Sequence, residues 1–189
     1  MAAIAIAGVG ALCILSSVGA ALMMGGEEET PILPAGPAGP AAPTLPSGQY
    51  VKLVQTDLGM VINLTELEVF AKAGTTNLAA GKTVSASKFH DVWVGPMLVD
   101  GNFATTEHNF AHTMSEIPNT EDSMLIDLGS VQEIEKIKIT NRVDCCKDRA
   151  IGIKVVILGA DGTTVVKETP AISTSADTYT FTFPGTAWA

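Results

Sequence analysis

Aromatic side chains are scarce, at 5% of 189 residues, and charged ones make up only 16%. Positive charge is scarcer still: eleven Lys and Arg against twenty Asp and Glu leave a net charge of −9. Binding to nucleic acid or anionic lipid needs clustered cations to meet phosphates, so the acid excess argues against both. Three cysteines, Cys13, Cys145 and Cys146, are too few for a disulfide scaffold. No G-x-S-x-G, H-E-x-x-H, Walker loop or C-x-x-C occurs, and the carboxylates are scattered, so the expectation is a protein that is not an enzyme. His90, His108 and His112 lie in a loop-rich stretch without a partner motif. The length suits one ordinary domain with appendages.

The first 49 residues hold no Lys or Arg, and their only charges are Glu27, Glu28 and Glu29. Residues 1–26 have no charged side chain and, as a helix, would cross a hydrocarbon core of about 30 Å. They read as an N-terminal transmembrane helix. A cleaved signal peptide is the rival: Val18-Gly19-Ala20 offers a cleavage site, but the n-region lacks basic side chains. Without flanking cations, the orientation in the membrane is not encoded here. Residues 27–49 are acidic and then proline-rich, with Pro31, Pro34, Pro37, Pro40, Pro43 and Pro46 at every third position. Polyproline II has three residues per turn, so the rings share one edge and residues 31–46 would span about 50 Å. Collagen is excluded, because Leu33, Ala42 and Leu45 occupy the phase of Gly36 and Gly39. The segment reads as a semi-rigid spacer.

Residues 50–189 carry a β pattern. Alternating or β-branched runs occupy 50–56, 60–70, 82–87, 124–129, 131–141, 151–159, 163–168 and 177–183. Ala160-Asp161-Gly162 predicts a hairpin between the sixth and seventh. In the fifth run Ile137, Ile139 and Asn141 share one face, while Glu135, Lys136 and Lys138 face solvent. No amphipathic helix of useful length appears. The fold class expected is all-β, an antiparallel β-sandwich or jelly roll, preceded by the N-terminal transmembrane helix.

The most informative segment is NRVDCCKDR, residues 141–149, directly after a predicted strand. Arg142 and Arg149 flank Asp144, and guanidinium forks suit multi-donor recognition of hydroxyl or carboxylate oxygens. Asp144 is placed to hold one fork in a fixed rotamer. Adjacent Cys145 and Cys146 have Cα atoms about 3.8 Å apart, below the usual disulfide range, so a bridge needs a distorted peptide. Such a bridge makes a small apolar knuckle; two reduced core cysteines are the alternative.

Residues 74–158 resemble the F-type lectin (fucolectin) family, within the discoidin or coagulation factor 5/8 type C superfamily. The resemblance rests on Asn77-Leu78-Ala79, Asp100-Gly101-Asn102, Ala111-His112-Thr113, Ile126-Asp127-Leu128 and Asn141-Arg142-x-Asp144-Cys145-Cys146-x-x-Arg149, which occur in the family's order. It implies a galactose-binding-like fold and a sugar site in which His112, Arg142 and Arg149 donate to fucose oxygens. Asp144 would orient the arginines, and Cys145–Cys146 would form the family's vicinal disulfide and pack on the ring. It further implies a structural calcium ion, which takes six to eight oxygens. Asp100, Asn102 and Asn109 map onto the loop ligands, with Met97 offering a carbonyl. The family's glutamate-bearing strand comes last, whereas its counterpart here, residues 64–70, comes first, like a circular permutation; Thr65 (carbonyl) and Glu66 (carboxylate) would fill those places.

The chain departs from the family pattern in three places. His112 and Arg142 are separated by 29 residues, a few more than usual; Ser123-Met124 replaces a tryptophan pair; and Phe110 and Thr65 stand where the family has a disulfide. The whole layout resembles membrane-anchored proteins of large algal DNA viruses. The expected partners are a fucosylated or related glycan, the membrane through the N-terminal helix, and further copies or other virion proteins. The expected location is a membrane, with the domain exposed on a virion or cell surface.

Overall fold

The nineteen residues of one strand organise both layers of the protein. In the computed structural model, which describes residues 44–104, 109–114, 121–183 and 187–188, strand β5 (Ser123–Asn141) runs through two sheets. Its first half pairs with β1 (Ser47–Gln55) and β3 (Thr83–Ala86). Its second half pairs with β2 (Asn63–Ala71) and β8 (Thr178–Thr182). The first sheet continues from β1 to β6 (Ile153–Leu158) and β7 (Val165–Glu168); the second adds β4 (Ala111–His112) beside β2 and β9 (Ala187–Trp188) beside β8. Every pairing is antiparallel.

Alternation explains the two faces. Met124, Ile126 and Leu128 point inward from the first half of β5, and Ile137 and Ile139 from the second, into one buried cluster with Val51, Leu53, Leu67 and Val69. Burying an Ile or Leu side chain contributes about 1.5–3 kcal/mol. The shift from even to odd inward positions is absorbed by a bulge at Glu135, where Phe70 faces Lys136 but Ala71 faces Ile134.

The sequence predicts a break near Gly129, and the chain bends there without ending the strand. Between the pairs Tyr50–Asp127 and Gly48–Gln132, four residues of β5 face only Gln49, and Gly129 adopts φ +86°. Pairing with β1 resumes beyond the bend, so two predicted strands are one. The β6–β7 hairpin forms as the sequence predicts: Asp161 Oδ1 accepts from the amides of Thr163 and Thr164 at 2.9 and 2.8 Å, and Gly162 takes φ +69°. Strands β4 and β9 were not predicted, because two residues carry no periodicity.

Residues 42–189 form one compact unit. The transmembrane segment expected over 1–26, and the spacer up to residue 43, lie outside the described residues. Among the described residues no helix is long and apolar enough to cross a membrane.

Candidate functional site

β5 ends at Asn141, and the chain then crosses one end of the sandwich as residues 142–150 before β6 begins. Asn141 sets this crossing: its fully buried carboxamide accepts from Arg142 N at 3.0 Å and donates to the carbonyls of Lys147 and Ala176 at 2.9 and 3.0 Å. A carboxamide can accept and donate at once, which an apolar residue at this inward position could not do.

Arg142 is only 8% exposed and sits over Phe110, its Cζ 3.9 Å from the ring centroid. Its Nε and Nη2 donate to the two Asp144 oxygens at 2.9 and 2.6 Å, and its Nη1 donates to Asn63 Oδ1 at 2.9 Å. Three of the five guanidinium N–H groups are thereby used, and two remain. The Arg142 hydrogen bonds hold the Asp144 carboxyl down to about 2. Asp144 is therefore a permanent anion that fixes the guanidinium plane.

Cys145 and Cys146 are disulfide-bonded. Cys146 takes the left-handed conformation, φ 59°, and leads into a short 3-10 turn, Lys147–Ala150, that carries Arg149. Arg149 Nη1 lies 3.2 Å from His112 Nε2. His112 Nδ1 contacts the Thr113 carbonyl, which can only accept, so the proton sits on Nδ1 and Nε2 is the acceptor for Arg149. Burial pushes the His112 pKa below its usual value, with the Arg149 charge adding to the effect, which keeps the ring neutral. Both ring nitrogens are engaged within the protein, so a bond from His112 to a ligand requires the Arg149 contact to open.

All six residues read from the sequence as the sugar site thus meet at one end of the sandwich. Their supports are less visible in the sequence. Trp93 stacks on His112 with ring centroids 5.5 Å apart and packs against Phe110 at 5.3 Å, while His90 lies 4.4 Å from Trp93. Trp93 is half-buried in this stack. Asn63, the first residue of a glycosylation sequon, is fully buried and serves Arg142. Phe110, where the F-type pattern has a cysteine, is the platform under that guanidinium.

The residues read as calcium ligands gather on the outer face of the second sheet. Glu66 pairs with Thr140 there, yet is fully buried because the 100–102 loop covers it: Gly101 N donates to Glu66 Oε2 at 3.1 Å. Asp100 Oδ1 accepts from Asn102 N at 2.8 Å, and Asn109 Nδ2 donates to the Asn102 carbonyl at 2.9 Å. Among the described residues Glu66 Oε1 is buried without a hydrogen-bond partner, and so is Thr65 Oγ1 beside it. Burial, with added repulsion from Asp100 and Glu68, pushes the Glu66 pKa up to about 8. Met97 lies in the 3-10 turn Gly95–Leu98 that precedes the loop. Among the described residues no group of three His, Cys, Asp or Glu side chains forms a metal cluster. Any cation here would therefore depend on amide and backbone oxygens beside the two carboxylates, a donor chemistry that suits a hard ion.

No curated protein and no solved structure matches the chain. Residues 97–188, which include the two arginines, their loop and the strands that carry them, match the family model of F5/F8 type C kind described as the NedA-like, galactose-binding domain.

Proposed function

We propose that this chain is a non-catalytic carbohydrate-binding module that takes L-fucose or a related deoxysugar at the 142–149 loop. The matched family's description as galactose-binding supports the ligand class. The observation that carries the reading is the Arg142 guanidinium, fixed by Asp144 and Asn63 with two donors to spare, in the same short loop as Arg149 and the Cys145–Cys146 disulfide. A deoxysugar offers the complement, a hydroxyl-bearing edge and a methyl-bearing face. One shallow site of this kind binds weakly, on the order of mM to tens of μM, and useful attachment then comes from many copies.

A calcium ion at the 100–102 loop is part of the proposal. The unpartnered Glu66 Oε1, with Asp100 nearby, fits a cation: a buried carboxylate oxygen without a partner is costly, and a divalent ion would satisfy it. Glu66 and Asp100 would supply charge; Asn102, Asn109 and the carbonyls of Thr65 and Met97 would complete the oxygens. The ion's role would be to fasten the loop over the sheet. The apolar 1–26 segment and the proline spacer support tethering to a membrane, with the domain displayed on a virion or cell surface.

The alternative is a packing domain with a vestigial sugar site, and the slight exposure of Arg142 and His112, 8% and 9%, favours it. Isothermal titration of the full-length chain in detergent with L-fucose and calcium separates the two. Heat that Arg142→Ala abolishes supports the lectin reading; no heat at millimolar fucose or galactose favours the packing domain.

A further inference from the structure

The two arginines of the site are held from different sheets. Arg142 is referenced to the second sheet, through Asn63 of β2. Arg149 sits at the far end of the loop, and its main chain is gripped by a residue of the first sheet. Gln55, the last residue of β1, has no exposure. Its Nε2 donates to the carbonyls of Arg149 and Ile151, each at 3.0 Å, and its Oε1 accepts from Asp57 N at 3.0 Å. Both N–H groups of the carboxamide are therefore committed to the segment that carries Arg149.

The neighbouring backbone is shaped around this carboxamide. Gly152 takes φ +89°, and a Cβ there would lie 2.3 Å from Gln55 Oε1. Thr56 reinforces the junction, donating from N and Oγ1 to the Gly152 carbonyl at 3.1 and 2.7 Å. Gln55 follows the inward-facing Val51 and Leu53 in the same alternation, where an apolar residue would serve the core without the desolvation cost of an amide.

We infer that Gln55 is a positioning residue for Arg149. By holding the carbonyl of the residue that bears the guanidinium, it fixes where that guanidinium meets His112 and the ligand. The separation between the two guanidinium groups is then set by the spacing of the sheets as well as by the loop. This rests on the carbohydrate-binding reading of the same site.

The test compares wild type, Gln55→Met, Arg149→Ala and the double variant as full-length chains in detergent, by fucose titration and by 15N shifts of the His112 ring. Methionine keeps the length and removes both donors. The expected result is an affinity loss of about tenfold for Gln55→Met, as for one lost hydrogen bond to a charged group. In the Arg149→Ala background the substitution should cost nothing further, a non-additivity that a general loss of stability would not produce. The His112 shifts should move toward those of Arg149→Ala. Unchanged affinity, or losses that add, overturns the inference. If wild type binds no sugar, the lectin reading fails and the His112 shifts alone decide: moved supports Gln55 as the positioner, unmoved overturns it. Should Gln55→Met fail to fold, Gln55→Asn, which keeps a neutral carboxamide but shortens its reach by one methylene, is read in the same way.

Discussion

Arg142 and Asn63 stand 79 residues apart, and the Nη1 of one donates to the Oδ1 of the other at 2.9 Å in the buried interior. The bond ties the arginine of the 142–149 loop to the strand that also carries Glu66, so both proposed sites share one piece of backbone. Replacing Asn63 by Leu leaves a buried cationic donor without its acceptor. The expected cost is about 1–3 kcal/mol in urea unfolding, with weaker fucose binding, because the guanidinium plane is then held by Asp144 alone. Asn63→Leu with unchanged stability and affinity would show that Asp144 suffices.

The sheet architecture was legible because alternation is a local signal. Ile137 and Ile139 inward with Lys136 and Lys138 outward can be read from four consecutive residues, and Asp161-Gly162 announces its own turn. The polar loop was legible for a different reason: two arginines, an aspartate and paired cysteines within nine residues are unusual chemistry. What sequence could not give was the support beneath them. Asn63, Phe110, Trp93 and Gln55 come from four separate segments and are ordinary residues in their local patterns. Only the pairing of β2 with β4 and β5 brings Asn63 and Phe110 to Arg142. The sequon at Asn63-Leu64-Thr65 falls inside a predicted strand, where modification is not expected, and Asn63 is buried.

Reduction of Cys145–Cys146 should weaken binding while barely affecting stability. A bridge between neighbours closes almost no loop in the unfolded chain, so its entropic contribution to stability is small. Its effect is local: it holds Cys146 in the left-handed conformation that launches the turn carrying Arg149. With a dithiol reductant, or in Cys145→Ser/Cys146→Ser, Tm should fall by less than about 4 °C. Fucose affinity should fall several-fold, which titration with and without reductant measures.

Stability should fall in acid. The lowered His112 pKa means the folded protein holds this ring neutral where the unfolded chain has already begun to take up a proton, below about 6.5. Its contribution is therefore present at neutral pH and lost as pH falls through that region. Protonation removes the Nε2 lone pair that accepts from Arg149 and sets three cationic groups together. Urea unfolding at pH 7.5 and 5.5 should show lower stability at the lower value, and His112→Gln should flatten the difference. Equal stability at both pH values would mean that the folded protein takes up the His112 proton as readily as the unfolded chain does.

Calcium should reverse the pH dependence that Glu66 imposes on stability. Its pKa is raised from an ordinary 4.5 to about 8, so between those values the folded state binds a proton that the unfolded state has lost. Stability then falls as pH rises through this window, the opposite of an ion-paired carboxylate. A bound divalent cation replaces that proton and removes the penalty. In EGTA the protein should melt lower at pH 8 than at pH 6; added calcium should raise Tm more at pH 8. Glu66→Gln, which keeps the size and removes the charge, should abolish both the pH slope and most of the calcium response. A calcium response that survives Glu66→Gln would place the ion elsewhere, and Tm unaffected by calcium at pH 8 would leave the buried carboxyl simply protonated under its loop.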